Sequence, residues 1–374
     1  MAGAKAGARP HPAFGHLLPQ GEKGLTADLT EALADQVRAA AAESRPLRIV
    51  GGDTKAWYGR ITQGERLEVA GHRGVIDYDP CELVITARAG TPLVEIEALL
   101  DQNEQMLGFE PPVFGPASTI GGVIAAGLAG PSRPFAGAVR DHVLGARILD
   151  GRGRVLRFGG TVFKNVAGFD AFRLMCGAMG TLGVIMDVSL RVTPRAEARA
   201  ARSFQQDWST ARVWLSALMR RPLPLDGAFH DGERLHLRLS GPSAGVAAAA
   251  SELGGEGEES VIWEALRHMR SPPLDAERLW RLSVPHTAAR ETAGGRELID
   301  WAGAQRWIAT DAPSERVRAI AAAAHGHATL FRGARPGEDA FAPLPAAMFA
   351  LHGRLKSVFD PVRVLNPGRL YEGL

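Results

Sequence analysis

The sequence predicts an α+β protein of two domains. Three observations point there: a length of 374 residues, short strand patterns alternating with helical ones, and a change of composition after Pro194. At roughly 100 to 200 residues per domain, the length holds two domains. Beyond Pro194, tryptophans appear at 208, 214, 263, 280, 301 and 307. Hydrophobic residues at 45% and charged residues at 22% suit a packed core and exclude a disordered or fibrous chain. Lys+Arg 43 against Asp+Glu 41 leaves +2, so no charge excess marks a nucleic-acid or membrane-surface binder. Two cysteines, Cys81 and Cys176, are too few for a disulfide framework, a zinc ribbon or the four thiolates of an iron-sulfur cluster. Any redox metal is therefore expected in another chain.

Taken in order, Met1 to Leu18 is rich in Ala, Gly and Pro and lacks the apolar run of a signal peptide, so it reads as a mobile tail. No run of about 18 apolar residues occurs, so no transmembrane segment is expected, and a cytoplasmic location follows by default. From Thr26, apolar residues at Leu29, Leu33 and Val37 recur at helical spacing to about Ala42, with Asp28 in the first turn. Leu47 to Val50 reads as a buried strand running into Gly51, Gly52, Asp53, Thr54 and Lys55. Strands follow at Leu67 to Val69, Gly74 to Tyr78 and Leu83 to Ala89. Thr91 as cap and Pro92 in the first turn start a helix to about Gln102.

Phe114 to Gly130, FGPASTIGGVIAAGLAG, has almost no charge and little side-chain bulk, as expected of backbone that something lies against. Val123 to Leu128 could form a helix there. A strand at Val143 to Asp150, a turn at Gly151 to Gly153 and a strand at Val155 to Phe158 come next. A second small-residue block runs from Lys164 to Val184. After Pro194, strands at Arg202 to Gln205, Gly227 to His230 and Leu235 to Leu239 alternate with helices at Ser209 to Arg220 and Ser243 to Leu253, a βαβ-like pattern. Gly333 to Pro343 reads as a linker before a last helix, Leu344 to Val358.

Glycine turns hold phosphate through main-chain N–H groups. A Walker turn needs Gly-Lys, a dipeptide this chain lacks, so a P-loop nucleotidase is excluded. Gly151 and Gly153 begin a dinucleotide fingerprint, but Leu156 takes its sixth place and a strand follows, which reads as a hairpin. Two separate turns remain, GGDTK at 51 to 55 and STIGG at 118 to 122. Both are explained if they close on one pyrophosphate.

At this point the residues resemble a known family. VGGDTK at 50 to 55, the glycine-rich run from Gly115 to Gly160, KNVAGFD at 164 to 170, GAMGTLGVI at 177 to 185 and FDPVRVLNPGR at 359 to 369 resemble FAD-binding proteins of the vanillyl-alcohol oxidase (PCMH) type. More narrowly they are similar to the FAD-binding subunit of bacterial glycolate oxidase, also called glycolate dehydrogenase. The resemblance implies a PCMH-type FAD-binding domain of two α+β subdomains plus a ferredoxin-like α+β cap. The expected divisions are a tail to residue 22, the FAD domain over 23–194, the cap over 195–335 and a returning C-terminal segment over 336–374.

Carried over residue by residue, the resemblance implicates Val50, Gly51, Gly52, Asp53, Thr54 and Lys55, then Pro116, Ser118, Thr119, Gly121, Gly122, Ala126 and Gly127, in binding the diphosphate. Gly180, Gly183 and Ile185, on an expected strand from Gly180 to Ile185, would lie along the adenine. Asn366 would return toward the flavin ring, or else simply form the turn before Pro367. Some relatives attach flavin to a histidine directly after the glycine pair; Asp53 stands there, so noncovalent FAD is expected.

The family's catalytic flavoproteins carry a His-x-Gly-Asp-Gly-Asn-x-His stretch and a Glu-His-Gly motif. This chain has neither, and His325 with His327, expected on one strand face, make a poor metal site. No catalytic residue and no metal ligand is assigned. Arg140-Asp141 reads as a structural ion pair in preference to a substrate-edge contact beside the second loop, and Lys164-Asn165 as an anion contact or a surface turn. The six tryptophans read as core or interface.

The implied function is oxidation of glycolate, a 2-hydroxy acid, to glyoxylate by hydride transfer to flavin. Electrons would leave through an iron-sulfur subunit, and a sister FAD-linked subunit would carry most of the chemistry. Through those partners the chain would lie peripheral to the inner membrane. An assembly subunit with a structural FAD and a self-sufficient 2-hydroxy-acid oxidase are the alternative readings.

Overall fold

The computed structural model describes residues 27–161, 170–335 and 337–374. The expected N-terminal tail and the segment from Lys164 to Gly168 lie outside the described residues. Helix α1, Thr30–Ala42, buries Leu33, Ala34 and Val37, and leads into strand β1, Leu47–Val50. β1 pairs in parallel with β2, Glu65–Glu68, as a small two-stranded sheet. A five-stranded sheet follows, built from β3 (Val75–Asp79), β4 (Val84–Arg88), β6 (Val143–Leu149), β7 (Val155–Gly159) and β8 (Val184–Arg191) in the order β3-β4-β8-β6-β7. Every ladder in it is antiparallel. Short strands β5, Gln105–Met106, and β9, Thr193–Pro194, pair with each other.

The helices α2 (Leu93–Asp101), α3 (Ile120–Ala126), α4 (Arg133–Ala136) and α5 (Val139–His142) connect these strands. Thr91 does not cap α2. Its hydroxyl donates to the Arg88 carbonyl and accepts from Gly74 N–H, while the Leu93 N–H of the first turn donates to the Ser118 carbonyl. A main-chain group from the second glycine loop thus replaces the expected side chain. The central strand β8 shows how pleating positions the site: Val184, Met186, Val188 and Leu190 enter the core, and Ile185, on the other face, borders a cavity. The expected strand from Gly180 begins only at Val184, because Gly180 has φ +74, outside the extended region.

The remaining strands form one eight-stranded sheet. It contains β10 (Ala198–Gln205), β11 (Leu225–His230), β12 (Arg234–Gly241), β13 (Glu256–Glu258), β14 (Leu279–Ser283), β15 (Arg296–Asp300), β16 (Gln305–Ala309) and β17 (His327–Arg332). Its order, β13-β10-β12-β11-β15-β16-β14-β17, is two copies of the ferredoxin-like order fourth-first-third-second, joined where His230 pairs with Ile299. In the first copy α6, Trp208–Leu218, and α7, Ser243–Leu253, supply the crossovers. β10 and β11 run parallel, but antiparallel β12 lies between them.

Between the copies lies α8, Val261–Arg267; the second keeps α9, Ser314–Ala323, and has no helix between β14 and β15. Trp208, Trp263, Trp280, Trp301 and Trp307 are buried, as core residues. His325 sits at φ +56 in the turn after α9, so it does not share a strand face with His327.

The last helix, α10, Ala346–Phe359, returns the chain to the first domain. The buried Lys356 ammonium donates to the Thr181 and Leu365 carbonyls and pairs with buried Asp360 at 2.8 Å. Asp360 also accepts from the N–H groups of Val364 and Leu365. Replacing Lys356 by Met leaves that carboxylate buried without its cation, at a cost of about 3–5 kcal/mol. Urea denaturation of Lys356→Met checks this; a loss below about 1 kcal/mol contradicts it.

Candidate functional site

Strand β1 delivers the first glycine loop to the edge of the small sheet, held by Val69 N–H on the Val50 carbonyl and Leu47 N–H on the Val364 carbonyl. The turn that follows places Asp53 at φ +52 and returns Ala56 N–H to the Asp53 carbonyl. Arg369, from the C-terminal segment, donates to the carbonyls of Lys55, Ala56 and Arg60. With the carbonyl side of the loop so occupied, the N–H groups of Gly52, Asp53, Thr54 and Lys55 donate to nothing among the described residues. Successive unpaired N–H groups around a left-handed residue form an anion-binding nest.

The second loop is more self-contained. Gly121 N–H donates to the Ala89 carbonyl and Ile120 N–H to the Thr91 carbonyl. Helix α3 starts at Ile120, earlier than the expected Val123, because Thr119 caps it by accepting from Gly122 N–H at 3.2 Å. It stops at Ala126, with Gly127 left-handed at φ +64. The unpaired donors are therefore concentrated on the first loop, and the Thr119 hydroxyl keeps its proton for a ligand.

The two loops touch. A Cβ on Gly52 would stand 1.5 Å from the Ala117 carbonyl oxygen, and one on Gly51 would stand 2.8 Å from the Thr119 hydroxyl. Thr54 and Ser118 share a hydrogen bond of 3.1 Å. At Gly122 a Cβ would meet only Thr119 Oγ1 at 3.2 Å and Lys55 Nζ at 3.9 Å, so this glycine opens on the space between the loops.

That space is a cavity with about 920 Å³ of atom-free volume, part of it open to solvent. Val50, Gly51, Gly52, Asp53, Thr54, Lys55, Thr119, Gly121, Gly122, Ala126, Gly180, Gly183, Ile185 and Asn366 all border it. Pro116, Ser118 and Gly127 do not. Pro116 is exposed, the Ser118 hydroxyl is bonded to Thr54, and Gly127 packs on Gly177. Asn366 bridges two walls, accepting from Ile49 N–H at 2.8 Å and donating to the Met179 carbonyl at 2.6 Å. Its amide is used in holding the walls together.

Arg48, Tyr58, Thr62, Met179 and Arg369 also border the cavity and were not legible as site residues. Arg369 carried a signal, since it ends the NPGR stretch; Arg48 is an ordinary strand residue.

Charge in the cavity is predominantly positive. Arg48 donates to both carboxylate oxygens of Asp53 at 2.7 Å, which neutralises the acid at the place where a flavin-linking histidine would stand. Lys55 is half-buried and has no carboxylate partner among the described residues, and loss of hydration pushes its ammonium down to about 8. Phe114 lies 5.8 Å from Lys55 Nζ. A cation without a carboxylate partner beside unpaired N–H groups fits a diphosphate, so the residues present suit FAD.

Elsewhere, Arg140 and Asp141 are 4.0 Å apart, and Asp141 accepts from Ala138 N–H at the start of α5, a structural arrangement. Lys164 and Asn165 lie outside the described residues.

Gly52→Ala drives a methyl group into the Ala117 carbonyl, and Gly122→Val projects bulk toward Lys55. Each is expected to lower FAD affinity at least tenfold in fluorescence titration, and Gly52→Ala also to cost about 1–3 kcal/mol of stability. Undiminished FAD content in Gly122→Val would place the ligand elsewhere. For Lys55 the sign runs toward weaker binding at high pH: an anion favours the ammonium, which is lost in the free protein above about 8. Calorimetry at pH about 9 in two buffers should show proton uptake on FAD binding, absent in Lys55→Met.

An FAD binding domain family matches residues 25–159. A glycolate oxidase subunit, GlcE, of Escherichia coli (strain K12) is 46% identical over 93% of this chain and 99% of its own length. Partial matches include the mitochondrial D-lactate dehydrogenase [cytochrome] 1 of Saccharomyces cerevisiae, 30% identical over 35% of this chain and 22% of that protein. Glycolate oxidase subunit GlcD of Bacillus subtilis (strain 168) is 29% identical over 33% of this chain and 26% of its own. Among solved structures, an alkyldihydroxyacetonephosphate synthase superposes with a TM-score of 0.62 at 14% identity, covering 90% of this chain and 74% of that one, which shows a shared fold. The chain belongs to the family of GlcE-type glycolate oxidase subunits, and its N-terminal domain is an FAD-binding domain of the PCMH type.

Proposed function

We propose that this chain is the FAD-binding subunit of a glycolate oxidase complex that oxidises glycolate to glyoxylate. The observation that carries the reading is the nest of unpaired N–H groups from Gly52 to Lys55, with the Lys55 ammonium beside it in one cavity. Gly52, Asp53, Thr54 and Lys55 would hold the diphosphate, with the Thr119 hydroxyl and Gly122 across from them. Gly183 and Ile185 would lie along the adenine, and Asn366 would fix the opposite wall. Bound there, FAD supplies a two-electron acceptor for hydride from a 2-hydroxy acid. Asp53, at the place where some relatives link the flavin through a histidine, is paired with Arg48, and no histidine borders the cavity among the described residues, which supports a noncovalent cofactor.

A second observation favours a division of labour. No residue between 195 and 335 borders the cavity among the described residues. The eight-stranded sheet instead meets the FAD domain through Trp307 and Phe331, which cluster with Tyr58, Leu128 and Met179. Trp307 and Phe331 themselves offer a substrate no cation and no base, and acidic and basic groups that meet between the domains are engaged with each other, Arg238 with Glu110 and Arg267 with Glu97. Glycolate chemistry then falls mainly to a sister FAD-linked subunit, and the flavin here relays electrons. Two cysteines, exposed Cys81 and half-buried Cys176, cannot ligate a cluster, so single-electron transfer belongs to an iron-sulfur subunit. No described helix is long and apolar enough to cross a membrane, consistent with a cytoplasmic protein that reaches the inner membrane through partners.

The visible spectrum of the purified chain before and after glycolate tests both readings. The expected outcome is bound FAD that stays oxidised with glycolate in the isolated chain and bleaches in the assembled complex. Bleaching without partners would defeat the relay reading; a colourless protein that takes up no FAD would defeat the whole assignment.

A further inference from the structure

Helix α10 carries apolar side chains on two faces. One turns inward at its C-terminal end, where Lys356 and Phe359 are buried, while Phe349, 40% exposed, lies toward Gly373. The other is a stripe formed by Met348, Leu351, Leu355 and Val358, spaced three, four and three residues apart. Leu355 is half-buried, whereas Leu351, Met348 and Val358 are 39%, 43% and 66% exposed, and Val362 extends the stripe beyond the helix at 39%. Alternating spacings of three and four are the seam along which a second helix packs. No other described element covers this seam, and small Ala347 and Ala350 beside it allow a close approach.

Charge decides what kind of helix fits. The sequence of α10, AAMFALHGRLKSVF, contains no Asp or Glu, and Arg354 and Arg363 are exposed along the seam. Two copies of α10 packed antiparallel about Leu351 and Leu355 would bring Arg354 against Arg354 with no carboxylate to offset it, which disfavours a second copy of this chain. A helix with an apolar seam edged by carboxylates satisfies both features. The position also has a consequence for the cofactor. On its inner side Lys356 holds the Thr181 and Leu365 carbonyls, whose neighbours Gly180 and Asn366 border the cavity.

We propose that α10 is the docking helix of this subunit, seating an acid-edged amphipathic helix of a partner subunit directly over the C-terminal wall of the FAD cavity. The proposal rests on the reading of this chain as one subunit of a complex. Its test uses the full chain co-expressed with the sister flavoprotein subunit of the same oxidase. Leu351→Glu and Val358→Glu alter solvent-facing positions, and FAD content and thermal unfolding confirm that each variant folds. Wild type should co-purify stoichiometrically. Each variant should bind at least tenfold more weakly with FAD content unchanged, and Arg354→Glu should weaken binding and reduce its dependence on salt. Val213→Glu, on the exposed face of α6, should bind as wild type does.

Unchanged binding in both seam variants would overturn the proposal, as would failure of wild type to bind the sister subunit at all. Sedimentation of the wild type as a dimer that Leu351→Glu disperses would assign the seam to a second copy. Loss in that variant of binding to phosphatidylglycerol vesicles alone would assign it to a membrane surface. Loss of FAD from the wild-type chain would instead defeat the functional reading and leave the docking measurement to stand by itself.

Discussion

The cavity between the glycine loops depends on one close contact, the Gly52 backbone against the carbonyl of Ala117. No side chain fits between them, so the two loops share a wall and their remaining atoms enclose a common space. The Thr54–Ser118 hydrogen bond fixes the loops laterally. Arg369 draws the carbonyls of the first loop toward the C-terminal segment and leaves its N–H groups unpaired. Those N–H groups face a cavity partly open to solvent, where an anion between the loops would satisfy several of them at once.

The same economy of partners governs the charges. Asp53 is matched by Arg48, while Lys55 is left unmatched at the edge of the cavity and pays in lost hydration. A half-buried ammonium without a carboxylate partner is the kind of group that a diphosphate would satisfy. The apolar contact of Trp307 and Phe331 with Tyr58 and Met179 has the opposite character. It joins the domains through buried apolar area, alongside the buried Arg238–Glu110 ion pair that also crosses between them.

The eight-stranded sheet is a doubled split-βαβ unit whose core contains buried tryptophans, and it packs against the FAD domain. The C-terminal segment ties the parts together. Asn366 spans β1 and the Met179 carbonyl, and the Lys356–Asp360 pair anchors α10 beside them. A residue group distant in sequence thus closes the cavity that the N-terminal half opens.

Much of this was written locally. β1 appears at Leu47–Val50 as expected and α7 at Ser243–Leu253, because four apolar-bounded residues before a glycine pair and an alanine-rich run each favour one conformation wherever they stand. The two glycine loops were legible as paired turns for the same reason, and the fold brings them together on one cavity. Sequence could not reveal which N–H groups stay unpaired, since that depends on Arg369 reaching the first loop and on Thr119 satisfying Gly122. Nor could it show that Thr91 would yield its capping place to Ser118, or that the second domain repeats one strand order twice. Those features arise from contacts between residues far apart in the chain, and only the folded arrangement brings their donors and acceptors within reach.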